Sequence, residues 1–474
     1  MTALEQNTLS LKKALPMVAI GLFLSFLISQ SDMIIPMALT GIAAILFALF
    51  LIGRDIKWGF YFLISAGFFS VGITRYAPLP LGLMIDFILV GIFLIYFFKE
   101  FKNLDWTRLN HPVFFAVFTW MVINCMELVN PESRSFEAWF YAMRGVSLYF
   151  FLTVVVGFLC LQFKNDFGWF INIWFVCSIL GTLWGMKQLY IGLDGAEKAW
   201  LEVPGNLSTH MLFGRLRVFS FYSDAGQFGA SQAHTALVAC ILAVNEKLRG
   251  RKTFYTITAL LCTYGMLISG TRGAIAIPIV GLFTYFILIR NFKIIIIGSI
   301  LFASAFGVLK FTFIGQGVYQ INRMRTALNP NDASFNVRLE NQKKLREYLN
   351  HHILGGGIGS AGYWGQRFSP GTFLANLALD SWYVRIAAEF GYVGLLLYIV
   401  ILIVIVFQCW KTISTTKDDY DRGKLIAIFC GLTGILVASY TNQVFGQIPT
   451  ATLVYISIVF LSKPQTEETH AKLA

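Results

Sequence analysis

Arg272 stands in the run Ser269 to Ala274, SGTRGA, between two long apolar stretches and with no acidic residue near it in sequence. A guanidinium at such a boundary needs an anionic partner, a watery cavity or a snorkelling path to solvent. Four more arginines share the setting. Arg215 and Arg217 precede an apolar stretch, Arg338 opens an amphipathic one, and Arg385 lies just inside another. The guanidinium fork matches phosphate oxygens, and a partly dry site strengthens that attraction, so the set points to an anionic ligand.

The elements that must hold these arginines are membrane helices. In 474 residues, 57 % are hydrophobic and only 13 % charged, and a mean hydropathy of +0.66 excludes an ordinary soluble enzyme. The expected fold is an all-α polytopic membrane protein of about 12–14 transmembrane helices. Apolar segments fall at 14–30, 33–52, 58–73, 81–98, 113–129, 143–161, 167–190, 226–244, 254–269, 273–289, 294–313, 380–407, 425–441 and 445–462. Residues 1–474 then form one integral membrane domain, with a large loop at 314–379, carrying short amphipathic helices, inserted before the late helix 380–407. Gly, Ser and Thr among the apolar residues suit close helix packing in lipid. No internal repeat is visible.

The seven cysteines lie in or beside apolar stretches without CxxC spacing, so neither disulfides nor a structural metal is expected. Residues 1–13 read as a polar lead into an uncleaved first helix.

Lys and Arg concentrate in alternate connections: Lys12 and Lys13, Arg54 and Lys57, Lys99 to Arg108, Lys164, Lys247 to Lys252, Arg290 and Lys293, and Lys411 to Lys424. The positive-inside rule makes those cytoplasmic and, with an even helix count, both termini too. The segments 191–225, Ser269 to Gly273 and 314–379 then face outward, and all five arginines collect on that side. Positive-inside loops account for much of the +12 net charge, so basicity does not argue for nucleic acid.

Four motifs follow one another on the outer side: Arg215 to Gly229 (RLRVFSFYSDAGQFG), the SGTRGA joint, the glycine run Gly355 to Gly359, and Asp380 to Gly394 (DSWYVRIAAEFGYVG). In type, order and sidedness they resemble the O-antigen ligase and polymerase family of bacterial inner-membrane glycosyltransferases, over roughly Arg215 to Leu397. The resemblance implies a GT-C-like fold, an extracytoplasmic active site and a donor glycan on a polyprenyl diphosphate, transferred to a glycan or lipid acceptor. It implies a lipid bilayer as the medium, a chain-length regulator protein as a further partner, and no cofactor or metal. Arg272 and Arg338, with Asp380, are then the catalytic candidates; Arg215, Arg217 and Arg385 join the two arginines in binding diphosphate. Arginines in that role stabilise charge developing on the leaving group.

The proton acceptor departs from the family pattern. Where the ligase branch carries a His-Asn pair, this chain has Asp380-Ser381, which tilts the reading toward polymerase, with transfer to a lipid A-core or protein acceptor as the alternative. Asp380 is equally placed to be a helix N-cap. His351, His352 and His210 are alternative bases in the outer segments. Asn336 to Asn350 is expected to form an amphipathic helix that lies against the membrane or the helix bundle through Val337, Leu345, Tyr348 and Leu349 and presents Arg338. The glycine run would serve as hinge or close approach, and Arg385 with Glu389 as an i,i+4 pair. Tyr363, Trp364, Trp382 and Tyr383 stand where sugar-stacking rings or an interfacial belt would be. A lipid-linked glycan transporter remains the reading from another class; it calls for charges on both sides of the midplane and internal symmetry.

Overall fold

The computed structural model describes residues 34–77, 82–100, 105–203, 205–212, 214–289, 292–312, 323, 325 and 333–463. The chain divides into two compact units, Met1–Gly59 and Phe60–Ala474. The first contains α1 (Ile34–Arg54), and α2 (Lys57–Ile73) runs across the division. In the second follow α3 (Gly82–Lys99), α4 (Pro112–Met126), α5 (Phe136–Cys160), α6 (Phe163–Tyr190), α7 (Gly195–Leu201), α8 (Ala225–Asn245), α9 (Arg249–Ile268) and α10 (Ala276–Ile289). The chain continues through α11 (Phe292–Phe311), α12 (Ala333–Leu349), α13 (Gly362–Phe368), α14 (Trp382–Thr415), α15 (Asp419–Ala438) and α16 (Thr450–Ser462). Among the described residues the one strand pair is an antiparallel ribbon, Met211–Leu212 with Arg215–Leu216.

This is an all-α polytopic membrane protein. Seven helices among the described residues are long and apolar enough to cross a membrane, and three shorter apolar helices accompany them. The helices α9, α11 and α15 also fall on predicted apolar segments; α9 and α15 begin with charged turns, Arg249 to Lys252 and Asp419 to Lys424, that dilute their hydropathy. The predicted segment 14–30 lies outside the described residues. Of the expected large loop, residues 323, 325 and 333–379 are described, and they contain α12, α13 and a short helical turn, Phe373–Asn376.

Two boundaries differ from expectation for local reasons. The segment expected at 143–161 starts at Phe136, because the Ser135 hydroxyl caps the helix by accepting from the Ala138 amide at 3.1 Å. The late helix starts at Trp382, capped by Ser381, whose Oγ accepts from the Val384 amide at 3.4 Å. Asp380 therefore is not the N-cap, and its carboxylate is left for another partner.

The centre of the second unit is α8, enclosed by α6, α9, α10 and α15. Lipid gives apolar helices no hydrophobic reason to associate, so packing and interhelical hydrogen bonds must do it. Trp174 Nε1 donates to Thr235 Oγ1 at 2.9 Å, and Thr182 Oγ1 donates to Gln232 Oε1 at 3.0 Å, tying α6 to α8. A half-buried Asp86 receives Arg144 Nε at 3.1 Å and joins α3 to the π-helical turn Arg144–Leu148 of α5. Pairing of this kind is what an intramembrane charge requires.

One end of this unit gathers five helix termini. Thr271 Oγ1 donates to the Ala225 carbonyl at 2.7 Å, which joins the α9–α10 connection to the start of α8. The Trp382 amide donates to the Ser439 carbonyl at 2.9 Å, which joins the start of α14 to the end of α15. Gly273 lies against Thr441 and Asn442 and brings the two junctions together.

Candidate functional site

The connection between α9 and α10 is a tight joint held by hydrogen bonds. Ser269 Oγ donates to the Met266 carbonyl at 2.6 Å and accepts from the Thr271 amide at 3.1 Å. Gly270 takes a left-handed conformation, φ +60°, which a side chain would resist. That turn leaves the Gly270 carbonyl open to Arg323, whose Nε donates to it at 2.6 Å. Arg217 reaches the same joint from the ribbon, with Nη2 donating to Thr271 Oγ1 at 3.3 Å and Nη1 to the Thr209 carbonyl at 3.0 Å. Half-buried Arg272 opens a 3-10 turn leading into α10. Arg217, Arg272 and Arg323 thus converge within one joint, and exposed Arg215 stands on the adjoining ribbon strand.

A second cluster forms at the start of α14. Leu345 and Leu349 bury one face of α12 against Leu374, Leu377, Leu379, Ala387 and Ala388, with Tyr348 packed beside them. Val337, expected on that face, is exposed; the contact face begins further along the helix, where Asn341 Nδ2 donates to the Ala378 carbonyl at 3.1 Å. This seating presents Arg338 to Asp380, Nε to Oδ2 at 3.0 Å. Asn341, Ser381, Tyr440 and Thr441 complete the cleft around the pair. Thr441 links the clusters, since it lines this cleft and also lies against Gly273, next to Arg272.

Behind the cleft, Arg385 Nε meets Glu389 Oε1 at 3.1 Å, and Glu389 is fully buried. Arg385 Nη1 also donates to Gln443 Oε1 at 3.3 Å, and Gln443 Nε2 donates to the Leu379 carbonyl. The glycine run docks on the same turn of α14. The Gly356 and Gly357 amides donate to the carbonyls of Ala388 and Glu389, each at 2.9 Å. Those carbonyls are released because Gly391 breaks the helix at φ +69°, ψ −170°, where a methyl group would collide with the Ile353 carbonyl. The run therefore makes the close backbone approach its glycines allow.

The histidines occupy separate places. His210 is buried against Trp200 and Phe219, with Nδ1 at 2.9 Å from the Asn206 carbonyl. Burial holds its pKa below the ordinary histidine value. His351 is exposed. His352 stacks on Tyr348, ring centroids 4.1 Å apart, beside a polar cavity distinct from the Arg338–Asp380 cleft. Of the aromatic candidates, Trp382 is buried, with Nε1 donating to the Tyr398 hydroxyl at 2.9 Å. Its ring is core, not a sugar platform. Trp364 stacks on Tyr141 at 4.8 Å, and Tyr363 is exposed.

Tyr383 and Tyr440 face an apolar groove of about 790 Å³ along α14 and α15, lined further by Leu395, Leu402, Phe407 and Trp410. Tyr440 also borders the charged cleft. A hydrocarbon groove and an arginine–carboxylate cleft therefore share a wall.

Residues 257–399 match the O-antigen ligase family model. The match covers less than a third of the chain, over the segment that holds three of its four motifs, and the chain as a whole is a multi-pass membrane protein. No curated protein matches the chain. Arg272, Arg338, Asp380 and Arg385 lie inside the matched segment, whereas Arg215, Arg217 and the loop after α15 lie outside it.

Sequence reasoning passed over that loop. Ser439 to Gln443, SYTNQ, is a polar run between two apolar stretches, and such an interruption at a helix end was the available signal. Arg75 was missed as well: Nη1 donates to the Ser220 carbonyl at 2.6 Å and the guanidinium lies 4.3 Å from the Trp200 ring, fixing the segment that leads into α8. Its side-chain contacts with Ser220, Trp200 and Phe219 are remote in sequence, so no local pattern announces them.

Proposed function

We propose that the protein is a glycosyltransferase that polymerises polyprenyl-diphosphate-linked oligosaccharide repeats into a surface polysaccharide at the extracytoplasmic face of the inner membrane. The observation that carries this reading is the wall shared at Tyr440, with Arg338 and Asp380 on one side and the apolar groove of α14 and α15 on the other. A lipid diphosphate has the same construction, an anionic head joined to a hydrocarbon tail.

In the reaction, the acceptor hydroxyl oxygen attacks the anomeric carbon of the donor sugar. The bond from that carbon to the diphosphate oxygen breaks, and polyprenyl diphosphate departs with the electron pair. Asp380 takes the hydroxyl proton as general base. Arg272, Arg217 and Arg215 stabilise the charge that builds on the leaving diphosphate, each such group being worth about 3 to 4 kcal/mol in comparable sites. Arg338 belongs to both halves, because its hydrogen bond to Asp380 positions the base and its remaining N–H donors are available to phosphate oxygens. Arg385, engaged by Glu389 and Gln443, is a positioning residue that holds the loop after α15 against the cleft.

Polymerase is preferred to ligase on Asp380-Ser381, which replaces the His-Asn pair of the ligase branch. The test is incubation of purified protein with polyprenyl-diphosphate oligosaccharide, with and without a lipid A-core acceptor. Longer lipid-linked chains are expected. Glycan on the added acceptor instead would establish a ligase, and an unconsumed donor would overturn both.

A further inference from the structure

The cavity beside His352 has no part in the reaction above. It lies among the α4–α5 connection, the end of α12 and the turn at Ser369 to Leu374, and its volume is about 220 Å³. That is room for several waters, or for a polar group of the size of one sugar ring. Glu132, Arg134, His352 and Thr372 bring charged, imidazole and hydroxyl groups to its wall, and Tyr348 and Phe373 bring rings.

The spacing of these groups is specific. His352 Nδ1 lies 3.0 Å from the Tyr348 carbonyl, which can only accept, so Nδ1 carries a proton and Nε2 faces the cavity side. Nε2 stands 3.9 Å from Glu132 Oε1, too far for a hydrogen bond. Both atoms are acceptors, so a sugar edge carrying two neighbouring hydroxyls would donate one to Nε2 and the other to Glu132 Oε1. Tyr348 stacks between His352 and Phe373, at 4.1 and 5.2 Å, and an aromatic edge beside convergent polar groups suits a ligand with both hydroxyls and an apolar C–H face. A phosphate would have to face the Glu132 carboxylate.

We propose that this cavity is a saccharide subsite, holding one neutral sugar unit of the glycan some distance from the reacting bond. The identity of that ligand as substrate glycan rests on the functional reading given above. The distance follows from α12, which carries Arg338 at the cleft and Tyr348 at the cavity; ten residues of helix separate them by about 15 Å. Leu345 and Leu349 fix α12 against the core, so the two positions are held by one rigid element. An oligosaccharide engaging both would place its reacting sugar by the length of its repeat.

The test is saturation-transfer NMR on the full chain in nanodiscs, using lipid-free oligosaccharide released by mild acid from the host's own surface polysaccharide. Binding is expected to weaken tenfold or more in Glu132→Gln and in Phe373→Ala, and less than threefold in Arg422→Ala, which removes an exposed pair with Asp419 on α15. Phe373 is exposed, so its variant keeps the test available should Glu132→Gln fail to fold. Equal binding by wild type and both cavity variants, or displacement of the oligosaccharide by inorganic phosphate, would overturn the subsite. Donor turnover by the wild type, run in parallel, separates the two claims. Turnover with unchanged cavity-variant binding sinks the subsite alone, whereas cavity-dependent binding without turnover sinks the transferase reading and upholds the saccharide site.

Discussion

Arg385–Glu389 and Arg338–Asp380 are the same contact in chemical terms, Nε to carboxylate oxygen at 3.1 and 3.0 Å, yet their surroundings are opposite. The Glu389 side chain is 0 % exposed and Arg385 18 %, while Asp380 is 57 % exposed and Arg338 35 %. A buried pair has lost its water, and removing one partner strands a charge at a cost of about 3 to 5 kcal/mol. An exposed pair contributes about 0 to 1 kcal/mol. The first pair therefore braces the start of α14 at the Gly391 break, and the second has little structural reason to exist. It faces a cleft, where its groups can exchange each other for substrate.

The contrast can be broken in four ways, in falling order of effect. Arg272→Ala should lower donor turnover by about 10²–10³-fold while leaving the thermal unfolding midpoint in place; unchanged turnover would remove the arginine joint from the mechanism. Glu389→Gln should destabilise the protein by about 3 kcal/mol or more, read by thermal melting in detergent, and a stable variant would show that the buried pair braces nothing. Arg338→Ala should change stability by less than about 1 kcal/mol, and a drop as large as that of Glu389→Gln would erase the distinction between the pairs.

The smallest effect concerns His210. Its lowered pKa means that the folded protein binds fewer protons there than the unfolded chain, so its contribution to stability is present above the ordinary value of about 6.5 and is lost as pH falls below it. The protection of the amides of residues 205–212 against hydrogen exchange, corrected for the intrinsic pH dependence of exchange, should accordingly fall from pH 7.5 to pH 5 in wild type and fall less in His210→Phe. Identical pH responses would show that His210 is not the titrating group.

The membrane helices were legible in sequence because apolar runs are local signals. Apolar runs of bilayer length announce α6, α8 and α14 directly, and Arg272 is conspicuous for the apolar sequence on either side. The i,i+4 spacing likewise announced Arg385 and Glu389. The remainder was hidden in long-range contacts. Whether Ser381 or Asp380 caps α14 turns on the backbone of two adjacent residues, and the answer, Ser381, is what leaves Asp380 to Arg338. Trp382 looked like an interfacial ring until Gly446 and Tyr398 enclosed it. Thr441 belongs to both clusters through neighbours remote in sequence; the polar run around it marks a helix end but not the residues it meets.

Among the described residues, Asp380 is the carboxylate placed against both an arginine and the cleft that borders the apolar groove. The most direct measurement is the rate at which purified wild type and Asp380→Asn consume polyprenyl-diphosphate oligosaccharide in nanodiscs, with melting curves recorded on the same samples. A loss of about 100-fold or more with an unaltered melting curve is predicted. Full rate in Asp380→Asn would contradict the assignment of the base and with it the functional distinction between the two ion pairs.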